Sequence, residues 1–455
     1  MRHRRKKREK KLLSDLPPYF YQNKVAGWVF LNGNIPDPRD LVNMFADRIL
    51  NPEHPDPEIN KSKMVTLVTA AFESGHEFHD RHLILDFEQI GIDAGWRGGF
   101  PTNVRNLAVW NSFKKWKESE TWLYQKYTEK QDAVLAMKRD YHSKMQGYVE
   151  TVTQHLKILT QEYSELGLFE FYHMDDWKLD PSTILSESVR AHEQIERDMG
   201  RIKKRKADAK RARDIRNIID HLVYKDSEVL AACKGIEDHF MHASGLQSSE
   251  LYQVQRAALK KNLLDAATIF IYGGRVYVLM NRLRFYGLHD ALREAVQKGS
   301  NLYGISAGSC IQSDQFSLAV PNAPSGGYQI AADEGVGLLK RIKVFPHAYD
   351  YYQYIRDGSR DDLSFFALRN PGYITVGLNQ TSVLLREEYQ CKGDSTRWLR
   401  YSSVGDEPVL VFGPKGRRYE MGRGDQLILP GTRSYEGSLQ LARVHEMESV
   451  EETSR

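Results

Sequence analysis

Two apolar rhythms alternate along this 455-residue chain. The runs "KVAGWVFL" (24–31), "KMVTLVTAA" (63–71), "TIFIY" (268–272) and "NLYGI" (301–305) are short, rich in β-branched or aromatic residues, and bounded by glycine or turn residues. Strands buried on both faces read this way. Helix-compatible stretches follow them: "LVNMFADRIL" after the turn "NGNIPDPRD", "RHLILDFEQIGI" after the second run, and "VYVLMNRLRFYGLHDALREAVQKG" after "GGR". The strand-like runs "RIKVFPH", "YITVGLN" and "SVLLREE" and the hairpin-like "PVLVFGPKGRRYEMGRGDQLIL" complete the C-terminal part. Strand and helix in this order predict an α/β fold, a mostly parallel sheet with helices on both faces as a three-layer α/β/α sandwich.

From about residue 106 the rhythm changes. Val134, Met137, Tyr141, Met145, Tyr148, Val152, Leu156, Leu159, Tyr163 and Leu166 recur at steps of three and four with charged residues between them, which predicts a sustained helical seam. "DDWKLDPSTI" breaks it, and a second charged helix is predicted over roughly 183–223, with Ile195, Met199, Ile202, Ile215, Ile218 and Leu222 as a sparser stripe. Two long helices around a proline-containing break predict an antiparallel, coiled-coil-like hairpin, although a plain helical subdomain on the core has the same spacing. The chain then divides into a basic tail (1–12), a first part of the α/β core (13–105), a helical insertion between the second and third strands (106–234), and a second part of the core (235–455).

Charge sharpens this division. Residues 1–11 hold eight Lys/Arg and one Glu, and residues 201–216 hold nine Lys/Arg and two Asp. Each block is a local +7, so with a net charge of +4 the remainder carries −10. Two basic blocks on an acidic body are candidate contacts for nucleic acid or anionic lipid, and they equally fit a solubilising tail and a solvated helix face. No apolar run approaches the roughly 18 residues that span a bilayer, and the first residues lack the apolar stretch of a secretory signal. Cys233, Cys310 and Cys391 are far apart and lack metal-ligand spacing, so reduced thiols, a cytoplasmic location, and no metal or cofactor are expected.

The candidate chemistry lies at "YGISAGSCIQSD". A G-x-S-x-G stretch after a strand and before a helix has the pattern of a nucleophile elbow, and equally that of a tight glycine turn that contains a serine. As an elbow it makes Ser306 a nucleophile and gives the Ala307 N–H to an oxyanion. His347 in "VFPHAYD", 41 residues on and just past an apolar run, is a candidate base among fifteen histidines. Gly273-Gly274, directly after "TIFIY", are candidates for a second oxyanion loop or a simple turn.

Together these stretches resemble the peptidase E and cyanophycinase family of serine peptidases, which has a class I glutamine amidotransferase-like fold. The likeness covers about 24–100 and 265–445 and leaves 106–234 without a counterpart. It is carried by "KMVTLVTAAFESGHEFHDRHLILDFEQIGI", "IYGGRVYVLMNRL", "GISAGSCIQSD", "FPHAYDYYQYIRDGSRDDLSFFAL" and "PGYITVGLNQTSVLL". The resemblance implies Ser306 as nucleophile, His347 as base, Gly274 and Ala307 as oxyanion donors, and Arg360 as a ligand for a substrate carboxylate. Asn322 stands nearest the place of the family's orienting aspartate, with Asp314, Asp333 and Glu334 as alternatives. Two positions depart from the family's pattern. Arg275 follows the glycine pair in place of Asn or Asp, where it suits an anionic substrate group. Gln380 replaces an acidic residue in the closing turn and, with Arg275 and Arg360, is a candidate for binding substrate.

The implied function is a serine hydrolase that cleaves an amide next to an acidic or carboxylate-bearing residue of a small peptide. Two other readings stay open: a degenerate peptidase fold that binds a protein partner through its helical insertion, and a nucleic-acid-associated protein acting through residues 1–11 and 201–216. Amidotransferase chemistry needs cysteine at the elbow, and Cys310 lies one turn beyond it.

Overall fold

A computed structural model describes residues 26–71, 87, 92, 103–162, 192–320, 329–348, 363, 367, 373–390, 397–412 and 418–430. The strands are β1 (Val29–Asn32), β2 (Val65–Val68), β3 (Val104–Asn106), β4 (Thr268–Ile271), β5 (Asn301–Ile305), β6 (Gln315–Val320), β7 (Gln329–Glu334), β8 (Ile342–Pro346), β9 (Ile374–Leu378), β10 (Val383–Gln390), β11 (Arg397–Ser403), β12 (Val409–Phe412), β13 (Arg418–Met421) and β14 (Gln426–Pro430). Eight of them form one sheet in the order β14-β11-β10-β1-β5-β4-β2-β3. The five from β1 to β3 run parallel, and β10, β11 and β14 extend the sheet antiparallel. A second sheet has the order β13-β12-β9-β8, and β6 and β7 pair as a two-stranded ribbon.

Strands β1, β2, β4 and β5 are buried along their length because each of their faces has its own core. Val29 and Leu31, Ile269 and Ile271, and Leu302 point into one cluster, shared with the helices Val109–Ser119, Val276–Phe285 and Leu288–Lys298 and with the second sheet. Phe30, Phe270, Tyr303 and Ile305 point to the other, beneath the helices Pro38–Met44 and Ala46–Leu50. This is the two-residue alternation of a strand between two apolar layers. On the second face Phe30, Tyr303 and Phe270 stack across three neighbouring strands, with ring centroids 4.3 and 4.6 Å apart. The fold is thus α/β with a mostly parallel sheet between helices, as the strand and helix order predicts.

Two details differ from the sequence pattern. A third strand, β3, precedes the helical block and adds to β2 at the sheet edge. It is only three residues long and follows a glycine-rich stretch, so it carries no periodic signal. The second long helix runs His192–Ala243, so the expected boundary at 234 falls inside a continuous helix.

The long helices Thr121–Glu162 and His192–Ala243 pack antiparallel. Lys130 pairs with Glu237 at 3.3 Å, Met137 Sδ meets Cys233 Sγ at 3.9 Å, Tyr141 hydroxyl bonds Asp226, and Tyr148 lies against His221, so one chain rises as the other falls. Val134, Met137, Tyr141 and Met145 of the first seam meet Ile218, Leu222, Val229 and Cys233 of the second. The first of these helices follows Val109–Ser119 without a long linker, and Ser249 Oγ donates to Glu120 at 2.9 Å across the base of the pair. Among the described residues no helix is long and apolar enough to cross a membrane. The basic tail 1–12, Cys391 and most of "RHLILDFEQIGI" lie outside the described residues.

Candidate active site

β1, β5 and β4 end side by side, and the candidate site sits at those carboxyl ends, where open α/β sheets present ligands. β5 is buried along its whole length and stops at Ser306. Ser306 has φ 52° and ψ −114°, a backbone combination outside the regions open to residues with a side chain. A one-turn helix, Ala307–Cys310, begins immediately after it. The Ser306 carbonyl accepts from the N–H groups of Ser309 (2.9 Å) and Cys310 (3.1 Å), which holds the chain in this turn. Strain of this kind costs about 1–3 kcal/mol and persists only where the surroundings over-determine it.

Two glycines make the close approach possible. A Cβ on Gly308 would stand 2.1 Å from the Ile271 carbonyl oxygen, so the helix after the elbow lies directly on the end of β4. A Cβ on Gly273 would stand 2.9 Å from the Ser306 Cβ and 3.3 Å from its Oγ, so the glycine turn after β4 passes beside the serine itself.

His347 follows β8 and, like Ser306, has a positive φ (58°). Ser306 Oγ and His347 Nε2 are 2.8 Å apart, although β5 and β8 belong to different sheets. Ser306 is 9% exposed and His347 is half-buried.

The other sequence candidates fall into four groups. Ala307 directly follows Ser306, and Gly274 (φ 121°) follows Gly273, the residue that packs against the serine; among the described residues neither backbone N–H has a hydrogen-bond acceptor. The Ala307 N–H is one of the groups left over at the first turn of a helix, and unpaired backbone N–H groups are the donors an anion uses. Arg275 is exposed, and its backbone caps the helix Val276–Phe285, its N–H donating to the Ala71 carbonyl at 3.2 Å. Gln380 is also exposed and accepts a bond at its own carbonyl. Asn322 and Arg360 lie outside the described residues.

Asp314 is engaged elsewhere. Its carboxylate accepts the Gln315 N–H at 3.0 Å and bonds Tyr373, and burial raises its pKa against the opposing pull of Lys340 and Lys343. Asp333 lies between Lys138 and Arg284, and Glu334 faces Lys234 at 3.6 Å. Burial pushes the Cys310 thiol up to about 12, which makes it a packing group and a poor nucleophile at neutral pH.

Asn32 and Ser309 have no counterpart among the sequence candidates. Buried Asn32 donates from Nδ2 to the carbonyls of Gln380 (2.9 Å) and Ser382 (3.0 Å), and its Oδ1 accepts from Ile35 N–H (2.7 Å). Its carbonyl accepts the Ser306 N–H at 3.1 Å, and its own N–H donates to Ser309 Oγ at 2.9 Å. Asn32 therefore joins the end of β1, the elbow and the turn between β9 and β10. In the sequence it stands in "NGN" and reads only as a turn residue.

Comparison with known proteins matches residues 233–391 to the model of peptidase family S51. That span contains Ser306, His347 and both glycine turns, and it starts inside the second long helix. No curated protein matches the chain. Among solved structures, the crystal structure of a peptidase from an acI-B1 Actinobacterium aligns at 14% identity and a TM-score of 0.37, over 90% of this chain and 98% of that one.

Proposed function

We propose, from the match of residues 233–391 to peptidase family S51 and from the likeness to peptidase E and cyanophycinase, that the chain hydrolyses an amide bond through Ser306 and His347. The observation that carries this reading is the 2.8 Å separation of Ser306 Oγ and His347 Nε2 at a strained strand-to-helix turn. In the neutral tautomer with Nε2 unprotonated, the Ser306 hydroxyl donates to the imidazole. Attack on a carbonyl carbon passes that proton to Nε2 and forms a tetrahedral oxyanion, towards which the Gly274 and Ala307 N–H groups serve as donors. The imidazolium then protonates the leaving amine, the C–N bond breaks, and water, activated by the same histidine, releases the acid.

The substrate class proposed is a small peptide with an acidic or carboxylate-bearing residue beside the scissile bond. Arg275 supplies a cation at the rim next to Gly274, and Arg360 is the carboxylate ligand by likeness to the family. Asn322 is the proposed orienting group for His347, since the carboxylates of Asp314 and Asp333 already have other partners.

The test is a fluorophosphonate probe on folded full-length protein, followed by a panel of Asp-X dipeptides. Labelling that disappears in Ser306→Ala is expected. No labelling, or equal labelling in the variant, overturns the reading and leaves a binding protein built on a peptidase fold.

A further inference from the structure

Between Ser306 and His347 the chain makes the β6–β7 ribbon, and the base of that ribbon is fixed from outside the α/β core. Asp333, near the end of β7, is 6% exposed. Its Oδ1 accepts from Arg284 at 2.8 Å and from the Glu334 N–H at 2.9 Å, and its Oδ2 accepts from Lys138 Nζ at 2.7 Å. Arg284 belongs to the helix that follows the Gly273-Gly274 turn, and it also bonds the Glu334 carbonyl. Lys138 belongs to the first long helix of the insertion, 195 residues away in sequence. Its ammonium lies 5.2 Å from the ring centroid of Tyr277, whose ring in turn faces Phe316 of β6. One side chain of the insertion thus bridges the ribbon and the helix that starts from the glycine turn.

From this base the contact leads to both reacting side chains. Gly335 N–H donates to the Asp314 carbonyl, Val336 to Ile311 and Leu339 to Gln312, at 2.7–3.0 Å. These bonds bind the end of the ribbon to the segment just past the elbow, and β8 with His347 follows directly. A buried carboxylate held by two cations has one arrangement of low energy, and removing either cation frees it to move.

We infer that Lys138 is a positioning residue through which the helical insertion sets the approach of His347 to Ser306. The inference rests on the catalytic reading above. It assigns the insertion a part in the reaction, since the insertion supplies the cation that completes the Asp333 site.

The experiment compares Lys138→Met, Lys138→Arg and Lys130→Met in the full-length protein. Lys130 is a comparison of similar burial: its ion pair with Glu237 joins the two long helices to each other, and its charge acts on Asp333 and Arg284 through space without a bond to either. Fluorophosphonate labelling of Ser306 is followed over a range of probe concentrations. Lys138→Met is expected to lower the limiting labelling rate at least ten-fold while changing the half-saturating concentration less than two-fold. Lys138→Arg restores the rate to within a few-fold, and Lys130→Met leaves it unchanged. Wild-type labelling in Lys138→Met, or equal slowing in Lys130→Met, overturns the inference. Hydrogen exchange over residues 342–348 reads positioning without catalysis: faster exchange in Lys138→Met alone is expected, and equal exchange in all variants overturns it. Wild-type protein that fails to label refutes the catalytic reading instead, and the exchange measurement still decides the role of Lys138.

Discussion

Asn32 gives the sharpest quantitative test of how the site is held. Its side chain makes three hydrogen bonds: two buried ones, donated to the Ser382 carbonyl and accepted from the Ile35 N–H, and a part-buried one donated to the Gln380 carbonyl. Each is worth about 1 kcal/mol net, and a buried partner left unsatisfied costs about 1–3 kcal/mol. Asn32→Ala removes all three, so a loss of about 3–6 kcal/mol is expected, against a typical total stability of about 5–15 kcal/mol. Asn32→Asp keeps the shape and the acceptor for Ile35 but turns a donor towards two carbonyl oxygens into a carboxylate oxygen. The folded state favours the protonated acid, which still donates to one carbonyl, so its pKa is raised there above the unfolded value. The stability of Asn32→Asp is therefore greatest below the ordinary aspartate range, near pH 4. It falls as pH rises, by about 1.4 kcal/mol per unit, until the folded carboxyl ionises. Urea denaturation at pH 4 and pH 8 measures this. Asn32→Asp at pH 8 is expected to be no more stable than Asn32→Ala, with fluorophosphonate labelling reduced in both. Wild-type stability of Asn32→Asp at pH 8, or a pH dependence identical to wild type, would refute the reasoning.

Two further outcomes follow from the same geometry. Gly308→Ala places a methyl group against the Ile271 carbonyl, where a Cβ has 2.1 Å of room, so a cost of at least about 1–3 kcal/mol and loss of Ser306 labelling are expected in thermal melts and probe assays. At Asp333, burial alone raises the carboxyl, but Arg284 and Lys138 outweigh it and hold the pKa below the ordinary range. Its contribution to stability is therefore present above about pH 4 and is lost as pH falls through the depressed folded value. Asp333→Asn is expected to cost about 2–4 kcal/mol at pH 7, because it leaves two largely shielded cations, Lys138 and Arg284, short of a counter-charge. Its urea midpoint then approaches that of wild type as both are taken towards pH 3, and parallel curves would refute the pairing.

Strands β1, β2, β4 and β5 of the parallel sheet were readable because each is buried on both faces, which leaves a continuous apolar run in the sequence. The elbow was readable because a sharp turn needs small residues at fixed offsets around Ser306. Asn32 was not, because its three bonds go to backbone groups, and backbone positions leave no mark in a sequence. The Lys138–Asp333–Arg284 contact was hidden for a different reason. Each residue is one charge among many on a charged helix or ribbon, and only the packing of the insertion shows which of them lose solvent. β3 lay below the level of pattern altogether, since three residues hold no period.

The bond between Ser249 and Glu120 at the base of the long helices bears on how the sheet closes. Val65 of β2 pairs with Thr268 of β4, which encloses a loop of about 200 residues in the chain. If the two helices zip first, as local structure does, that bond clips out the segment between 120 and 249 and leaves an effective loop of about 75 residues. The saving in closure entropy is only about 1 kcal/mol, because the cost grows with the logarithm of length. The large insertion is therefore nearly weightless to the sheet that it interrupts.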